Sequence, residues 1–156
     1  MKYHPIIQIT LNNEKYNLTT NEKGVAKVPL DIAKANVYTC AVCSLGDESY
    51  NAVLDMAKVT VKKQTPKIKA YKATYKAKAK VKKIKATFKT AKGKAVKGKK
   101  ITFKVKSKTY TAKTNAKGVA TVKVKLTKKG TYTFTAKFAG DNTYKVIIKK
   151  VKVVIK

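Results

Sequence analysis

Residues 114–144 read TNAKGVATVKVKLTKKGTYTFTAKFAGDNTY, and this stretch decides the fold. Ala120, Val122, Val124 and Leu126 alternate with Thr121, Lys123 and Lys125. Tyr132, Phe134, Ala136 and Phe138 repeat the pattern against Thr133, Thr135 and Lys137. A period of two marks a half-buried strand, because successive side chains leave a strand on opposite faces. Gly118, Gly130 and Gly140 punctuate the runs, where tight turns need positive φ.

The same alternation extends outward in both directions. Upstream, Ile84, Ala86 and Phe88 alternate with Lys83, Lys85, Thr87 and Lys89, and Ile101, Phe103 and Val105 with Thr102, Lys104 and Lys106. Downstream, Val151, Val153 and Ile155 close the chain. Six or seven short strands at this spacing predict a β-sandwich of roughly 90 residues. Ile68–Thr74 and Val81–Thr90 read as its first two strands, after a linker at Gln64-Thr65-Pro66-Lys67.

A weaker copy of the opening stretch lies at 20–50, TNEKGVAKVPLDIAKANVYTCAVCSLGDESY. Sliding the sequence by 94 residues aligns 1–62 on 95–156 without a gap, and 18 of the 62 positions are identical. They include Gly24/Gly118, Val25/Val119, Tyr38/Tyr132, Gly46/Gly140, Asp47/Asp141 and Tyr50/Tyr144. Turn residues and inward-facing strand residues are what a shared fold retains. Two units follow: 1–63, an incomplete repeat lacking its first two strands, and 64–156, a complete one. Residues 63–94 have no counterpart in the first copy. Either they complete the second unit in simple order, the chain then being part of a longer repeat protein, or they serve the first in a permuted arrangement. Simple order is the preferred arrangement. An incomplete sandwich leaves a sheet edge and part of its core uncovered, so residues 1–63 are expected to be loosely ordered or completed by another chain, as in a homo-oligomer.

Several phrases carry a family resemblance. Lys108-Thr-Tyr-Thr-Ala-Lys-Thr-Asn-Ala-Lys-Gly-Val-Ala120, Gly130-Thr-Tyr-Thr, Phe138-Ala-Gly-Asp-Asn-Thr-Tyr144 and the ending Val-Lys-Val-Val-Ile-Lys156 resemble bacterial-type Ig-like repeats. The Lys-rich, Arg-free ending is most similar to C-terminal repeats of adhesin-like surface proteins from methanogenic archaea. The resemblance implies an all-β chain of tandem Ig-like β-sandwich units, the first incomplete. It also implies an extracellular or cell-surface setting, within a longer exported protein. Met1 to Thr10 has no apolar h-region of a signal peptide. No run reaches the roughly 18 apolar residues of a membrane span.

Charge divides the chain more sharply than any motif. All 38 basic residues are Lys. Residues 1–63 hold eight Lys and six acids, a net +2, whereas 64–156 hold thirty Lys and one acid, Asp141, a net +29. Such asymmetry points to an anionic partner, and a solvated surface that keeps the fold soluble is the plainer alternative. Lys83, Lys85, Lys89, Lys123 and Lys125 are expected on one sheet, and Lys104, Lys106 and Lys137 on the other. These eight are the candidate polyanion-binding residues. An anionic wall or surface polymer is the leading partner. Nucleic acid, met through non-specific phosphate contacts, is the alternative, disfavoured because base reading relies on Arg.

Catalysis finds little support. His4 is the only histidine, and Asp141 stands alone in its unit, so neither a triad nor a carboxylate pair can be assembled there. Asp47 and Asp141 each follow a glycine and read as Asx turns rather than calcium ligands. Cys40 and Cys43 fall on one strand and point to opposite faces, which disfavours a disulfide, and a lone C-x-x-C is weak evidence for zinc. Tyr38/Tyr132 and Tyr50/Tyr144 read as core or corner tyrosines bonded to backbone. No cofactor, metal or enzymatic activity is expected.

Overall fold

The 94-residue register of the sequence is also the register of the strands. The computed structural model describes residues 5–156, which divide into two units between Lys62 and Lys63 and contain strands but no helix. The first unit holds β1 (Ile6–Leu11), β2 (Glu14–Thr19), β3 (Asn36–Ser44) and β4 (Val53–Val61). The second holds β5 (Lys67–Ala70), β6 (Ala73–Tyr75), β7 (Lys82–Lys89), β8 (Lys100–Val105), β9 (Lys108–Lys113), β10 (Val119–Val124), β11 (Gly130–Phe138) and β12 (Ile147–Ile155). Adding 94 to the bounds of β1, β2, β3 and β4 reproduces the bounds of β8, β9, β11 and β12.

The second unit is a sandwich of a three-stranded sheet, β10-β7-β5, and a five-stranded sheet, β6-β12-β11-β8-β9. Alternation puts Ile84, Ala86 and Phe88 of β7 and Ala120, Val122 and Val124 of β10 on one inner face. Facing them are Ile101 and Phe103 of β8, Phe134 and Ala136 of β11, and Val153 of β12, all fully buried. Each large apolar side chain so buried contributes about 1.5–3 kcal/mol. Phe88 is central, its ring 4.7 Å from that of Phe138 and 5.5 Å, edge-on, from that of Tyr144.

The single strand expected over Ile68–Thr74 is instead two. β5 pairs antiparallel with β7, and β6 pairs parallel with β12, so the chain changes sheets at Tyr71-Lys72. The change is anchored by Tyr71, whose backbone N–H donates to the Lys85 carbonyl and whose hydroxyl bonds Thr87 Oγ1 at 2.7 Å. Residues 67–89 thus pair within the second unit, through β7 to β10 and through β6 to β12.

The first unit is one antiparallel sheet, β2-β1-β3-β4, in the order of its counterparts β9-β8-β11-β12. Within this unit no second sheet faces it among the described residues. Residues 25–30, the counterpart of β10, form no strand. In the second unit β10 pairs only with β7, and nothing in residues 5–62 takes the place of β7. Pro29 stands where Lys123 stands in β10 and offers no backbone donor. Among the counterparts of core residues Ile7, Ile9, Tyr38, Val42 and Val59 are therefore only half-buried and Leu30, Tyr50 and Ala57 are exposed, while Leu11 and Cys40 are buried. Cys40 and Cys43 are free thiols.

Candidate functional site

The lysines of the three-stranded sheet are placed by pleat and register. On β7, Ile84, Ala86 and Phe88 turn inward, so Lys83, Lys85 and Lys89 turn outward and are exposed. β10 brings Lys123 directly opposite Lys83, and β5 brings Lys67 directly opposite Lys89. Lys69 lies opposite Thr87 and Lys85 opposite Thr121. One sheet face therefore carries six lysines and no carboxylate, with two like-charged pairs facing each other across strands. Lys67 and Lys69 were not among the sequence candidates. Their alternation with Ile68 and Ala70 is plain in the sequence, but their rung opposite β7 depends on pairing that only the fold supplies.

The five-stranded sheet arranges its charge differently. Lys104 of β8 lies opposite Thr135 and Thr109, and Lys137 of β11 opposite Thr102 and Ile148. Lys150 and Lys152 of β12 face Thr135 and Thr133. Here threonines separate the lysines on the rungs of Lys104, Lys150 and Lys152, and one like-charged pair, Lys100 opposite Lys113, faces across β8 and β9 at the edge of the sheet.

Two candidates are not where alternation put them. Lys106 is no strand residue: it occupies the β8–β9 turn with φ 48°. Its counterpart in the repeat is Asn12, which with Asn13 makes the β1–β2 turn at φ 52° and 64°. That Asn-Asn pair is the signal that places a turn at Lys106. Lys125 lies one residue beyond the end of β10. Lys106 and Lys125 instead border a surface hollow of about 210 Å³ with Lys108, Lys128 and Tyr132, and the Lys106 ammonium sits 4.9 Å from the centre of the Tyr132 ring.

Not every lysine of this unit is available to a ligand. Lys82 is 4% exposed, and its Nζ donates to the carbonyls of Ala77 and Ala79 at 3.0 and 2.7 Å. Lys99 donates to Asp141 Oδ2 at 2.5 Å. The other oxygen of Asp141 accepts from the backbone N–H groups of Thr143 and Tyr144, both at 2.8 Å. Burial pushes this carboxyl up, but the Lys99 hydrogen bond and the two backbone donors outweigh it and hold its pKa below the ordinary 3.8.

Asp47 makes the same turn, accepting from the N–H groups of Ser49 and Tyr50. Both copies also keep the tyrosine corner: Tyr132 donates to the Lys128 carbonyl at 2.8 Å, and Tyr38 to the Lys34 carbonyl at 2.9 Å. Tyr144 is in the core at 8% exposure, its ring against that of Phe88, whereas Tyr50, expected there too, is 64% exposed. His4 lies outside the described residues. Among the described residues no group of His, Cys, Asp or Glu is placed to hold a metal ion, and no helix is long and apolar enough to cross a membrane.

Residues 77–151 match the family model of the bacterial Ig-like domain, group 1. The matched span lies within the second unit, which is an all-β, Ig-like sandwich. No curated protein matches the chain. Among solved structures the chain is similar to the D00-D0 domain of intimin, at 19% identity, with 100% of this chain and 88% of that one covered and a TM-score of 0.44. It is similar to fibronectin(III)-like modules of Clostridium thermocellum CbhA, at 16% identity over 100% and 81% of the two chains, with a TM-score of 0.44. A Ca2+-stabilized adhesin that helps an Antarctic bacterium reach out and bind ice is similar at 17% identity and a TM-score of 0.36, with 99% of this chain covered. The chain spans 41% of the length of that solved chain.

Proposed function

We propose that the chain is a non-enzymatic structural and adhesive module of a cell surface, with the second unit as a rigid spacer that holds an anionic wall or surface polymer. The observation that carries this reading is the outer face of β10-β7-β5, where Lys83 opposes Lys123 and Lys89 opposes Lys67. Like charges directly opposite each other on a sheet cost a few tenths of a kcal/mol each, about 0.2–1. A bound polyanion converts that cost into attraction. Along β7, alternate lysines are about 6.6 Å apart at the usual rise, a spacing that tracks successive charges of an extended polymer. The match to the bacterial Ig-like domain supports the structural role. The carboxylate of this unit, committed to its own turn and to Lys99, supports the absence of acid–base chemistry.

The test is a titration of the full chain with an acidic wall polysaccharide, and with duplex DNA, at several salt concentrations. Affinity for the polysaccharide is expected to fall steeply with salt. Replacing Lys83, Lys85, Lys89 and Lys123 with Gln is expected to weaken it far more than replacing Lys104, Lys137, Lys150 and Lys152. Equal losses from the two sets would remove the face assignment. Tight DNA binding at physiological salt without polysaccharide binding would replace adhesion with nucleic-acid binding.

A further inference from the structure

The hollow beside Tyr132 has a counterpart in the first unit, with the same apolar lining and a rim of different charge. We infer that the hollow of the second unit binds one acidic sugar residue, a single ring with one carboxylate or phosphate group, and that the hollow of the first unit excludes this ligand through its own carboxylates.

The 94-residue register relates the two linings. Val105, Leu126 and Tyr132 line one hollow, of about 210 Å³, and Leu11, Ile32 and Tyr38 stand at the same places in the other, of about 330 Å³. In each the tyrosine also fixes the wall. Its hydroxyl donates to the carbonyl of Lys128 or Lys34, which ties down the loop ahead of β11 or β3. The β8–β9 turn completes one rim and the β1–β2 turn the other.

The shape is shared and the charge is not. Lys106, Lys108 and Lys125 stand where the first unit has Asn12, Glu14 and Asp31, while Lys128 and Lys34 correspond. Four exposed lysines and no carboxylate therefore border the second hollow. Two carboxylates and one lysine border the first, where Glu14 accepts from the Tyr16 hydroxyl.

The turn shows that Lys106 is held against local preference. Asn12 has φ 52° and Lys106 φ 48°. Asn tolerates this left-handed region better than Lys, because its short polar side chain bonds locally. Conformations that disfavour their own residue gather at functional sites. From this turn the Lys106 ammonium reaches a point 4.9 Å from the centre of the Tyr132 ring, so the cation stands over the hollow's aromatic wall.

Size and lining select the ligand. The volume falls below the roughly 300–1,000 Å³ of pockets for drug-sized molecules, and suits one ring. Buried Val105 and Tyr132, with half-buried Leu126, offer apolar surface to the C–H face of a sugar. The lysines offer charge-assisted hydrogen bonds to its anionic group. A bare anion would use only the rim and a neutral sugar only the lining. The site draws on none of the lysines of the β10-β7-β5 face, so it stands or falls separately from the polymer-binding role of that face.

The experiment titrates the isotopically labelled full chain with methyl glucuronide and with glucose phosphate, and with methyl glucoside and inorganic phosphate as controls. Saturable shifts of the Tyr132 and Lys106 signals are expected with an acidic sugar, and none at Tyr38. The tighter of the two acidic sugars identifies the anionic group. Each control is expected to bind about tenfold more weakly, having lost either the charge-assisted bonds or the apolar contact. Lys108→Glu with Lys125→Asp installs the rim charges of the first hollow and is expected to abolish the shifts, while amide-exchange protection of β8 and β11 persists. Lys150→Gln with Lys152→Gln removes two charges elsewhere in the unit and should leave the affinity unchanged. Absence of binding by both acidic sugars would overturn the inference, as would equal affinity for inorganic phosphate or equal shifts at Tyr38. So would binding undiminished by Lys108→Glu with Lys125→Asp, or an equal loss from Lys150→Gln with Lys152→Gln, since the general field of the unit would then be the cause.

Discussion

Gly24 and Gly118 share a turn conformation to within a degree of φ, but a methyl group on Gly118 would collide with the Phe88 carbonyl and one on Gly24 would meet nothing. Their substitution by Ala separates conformational strain from steric clash. Gly24→Ala is expected to cost the first unit about 1–2 kcal/mol, the left-handed penalty alone. Gly118→Ala adds a backbone collision between β7 and the start of β10 and is expected to cost more than about 2 kcal/mol. Denaturant titration followed by amide signals resolved for each unit checks the difference. Equal costs would mean that β7 yields to the methyl group.

Lys82 is a lysine of the basic unit that should not matter to a ligand. Its stem lies in the core-facing row of β7 and its ammonium holds the carbonyls of Ala77 and Ala79. Lys82→Met keeps the stem and removes both bonds. The expected loss is about 2 kcal/mol, with faster amide exchange in residues 76–81. Polyanion affinity should barely change, in contrast to Lys83→Gln one residue along. Thermal melts and a binding titration on the two variants provide the comparison.

What could be read from sequence and what could not separates along the range of the interactions. The Asx turns at Asp47 and Asp141 reach two and three residues, and the corners at Tyr38 and Tyr132 reach four. Local pattern suffices for such features, and period-two alternation suffices for strand faces. The break between β5 and β6 was not legible, because a strand changes sheets only where another sheet offers an edge, here that of β12. The opposition of Lys67 to Lys89 likewise depends on a register across 22 residues. Lys82 was legible in principle, since it shares the parity of Ile84 and Ala86, but its charge favours an outward reading. Tyr50 shows the limit of the repeat itself. Identity with Tyr144 carried the residue across the alignment, but Tyr144 is buried against Phe88, which lies in a segment outside that alignment.

Acid should act on the second unit through Asp141. Its pKa is lowered on folding, so the stability it contributes is present above the unfolded value near 3.8 and is lost as pH falls through the lowered folded value. The loss is expected below about pH 4, and no change is expected from this group between pH 5 and 8. Asp141→Asn keeps an acceptor for Thr143 and Tyr144 but gives up the ion pair with Lys99, a partly exposed pair worth ~1 kcal/mol or less. The variant should be slightly less stable at pH 7, and its stability should fall less between pH 4 and 2. Melting temperatures across that range, for wild type and variant, test the sign.

The opposed lysines make a prediction that needs no ligand. If Lys83 and Lys123 repel across β7 and β10, wild-type stability should rise with added salt, because screening shortens the reach of the repulsion to about 10 Å at 0.1 M and 3 Å at 1 M. Lys83→Gln removes one partner and should stabilise the second unit at low salt by a few tenths of a kcal/mol, about 0.2–1. The gain should shrink as salt rises. Lys123→Gln should do the same, and the double variant should gain less than the sum of the two, since either change alone abolishes the pair. Lys104→Gln, on a rung where the neighbours are Thr135 and Thr109, provides the comparison and should show a weaker salt dependence. Additive gains from Lys83→Gln and Lys123→Gln would mean that each lysine feels only the general field of the unit. The face of β10-β7-β5 would then have no special claim on a polyanion.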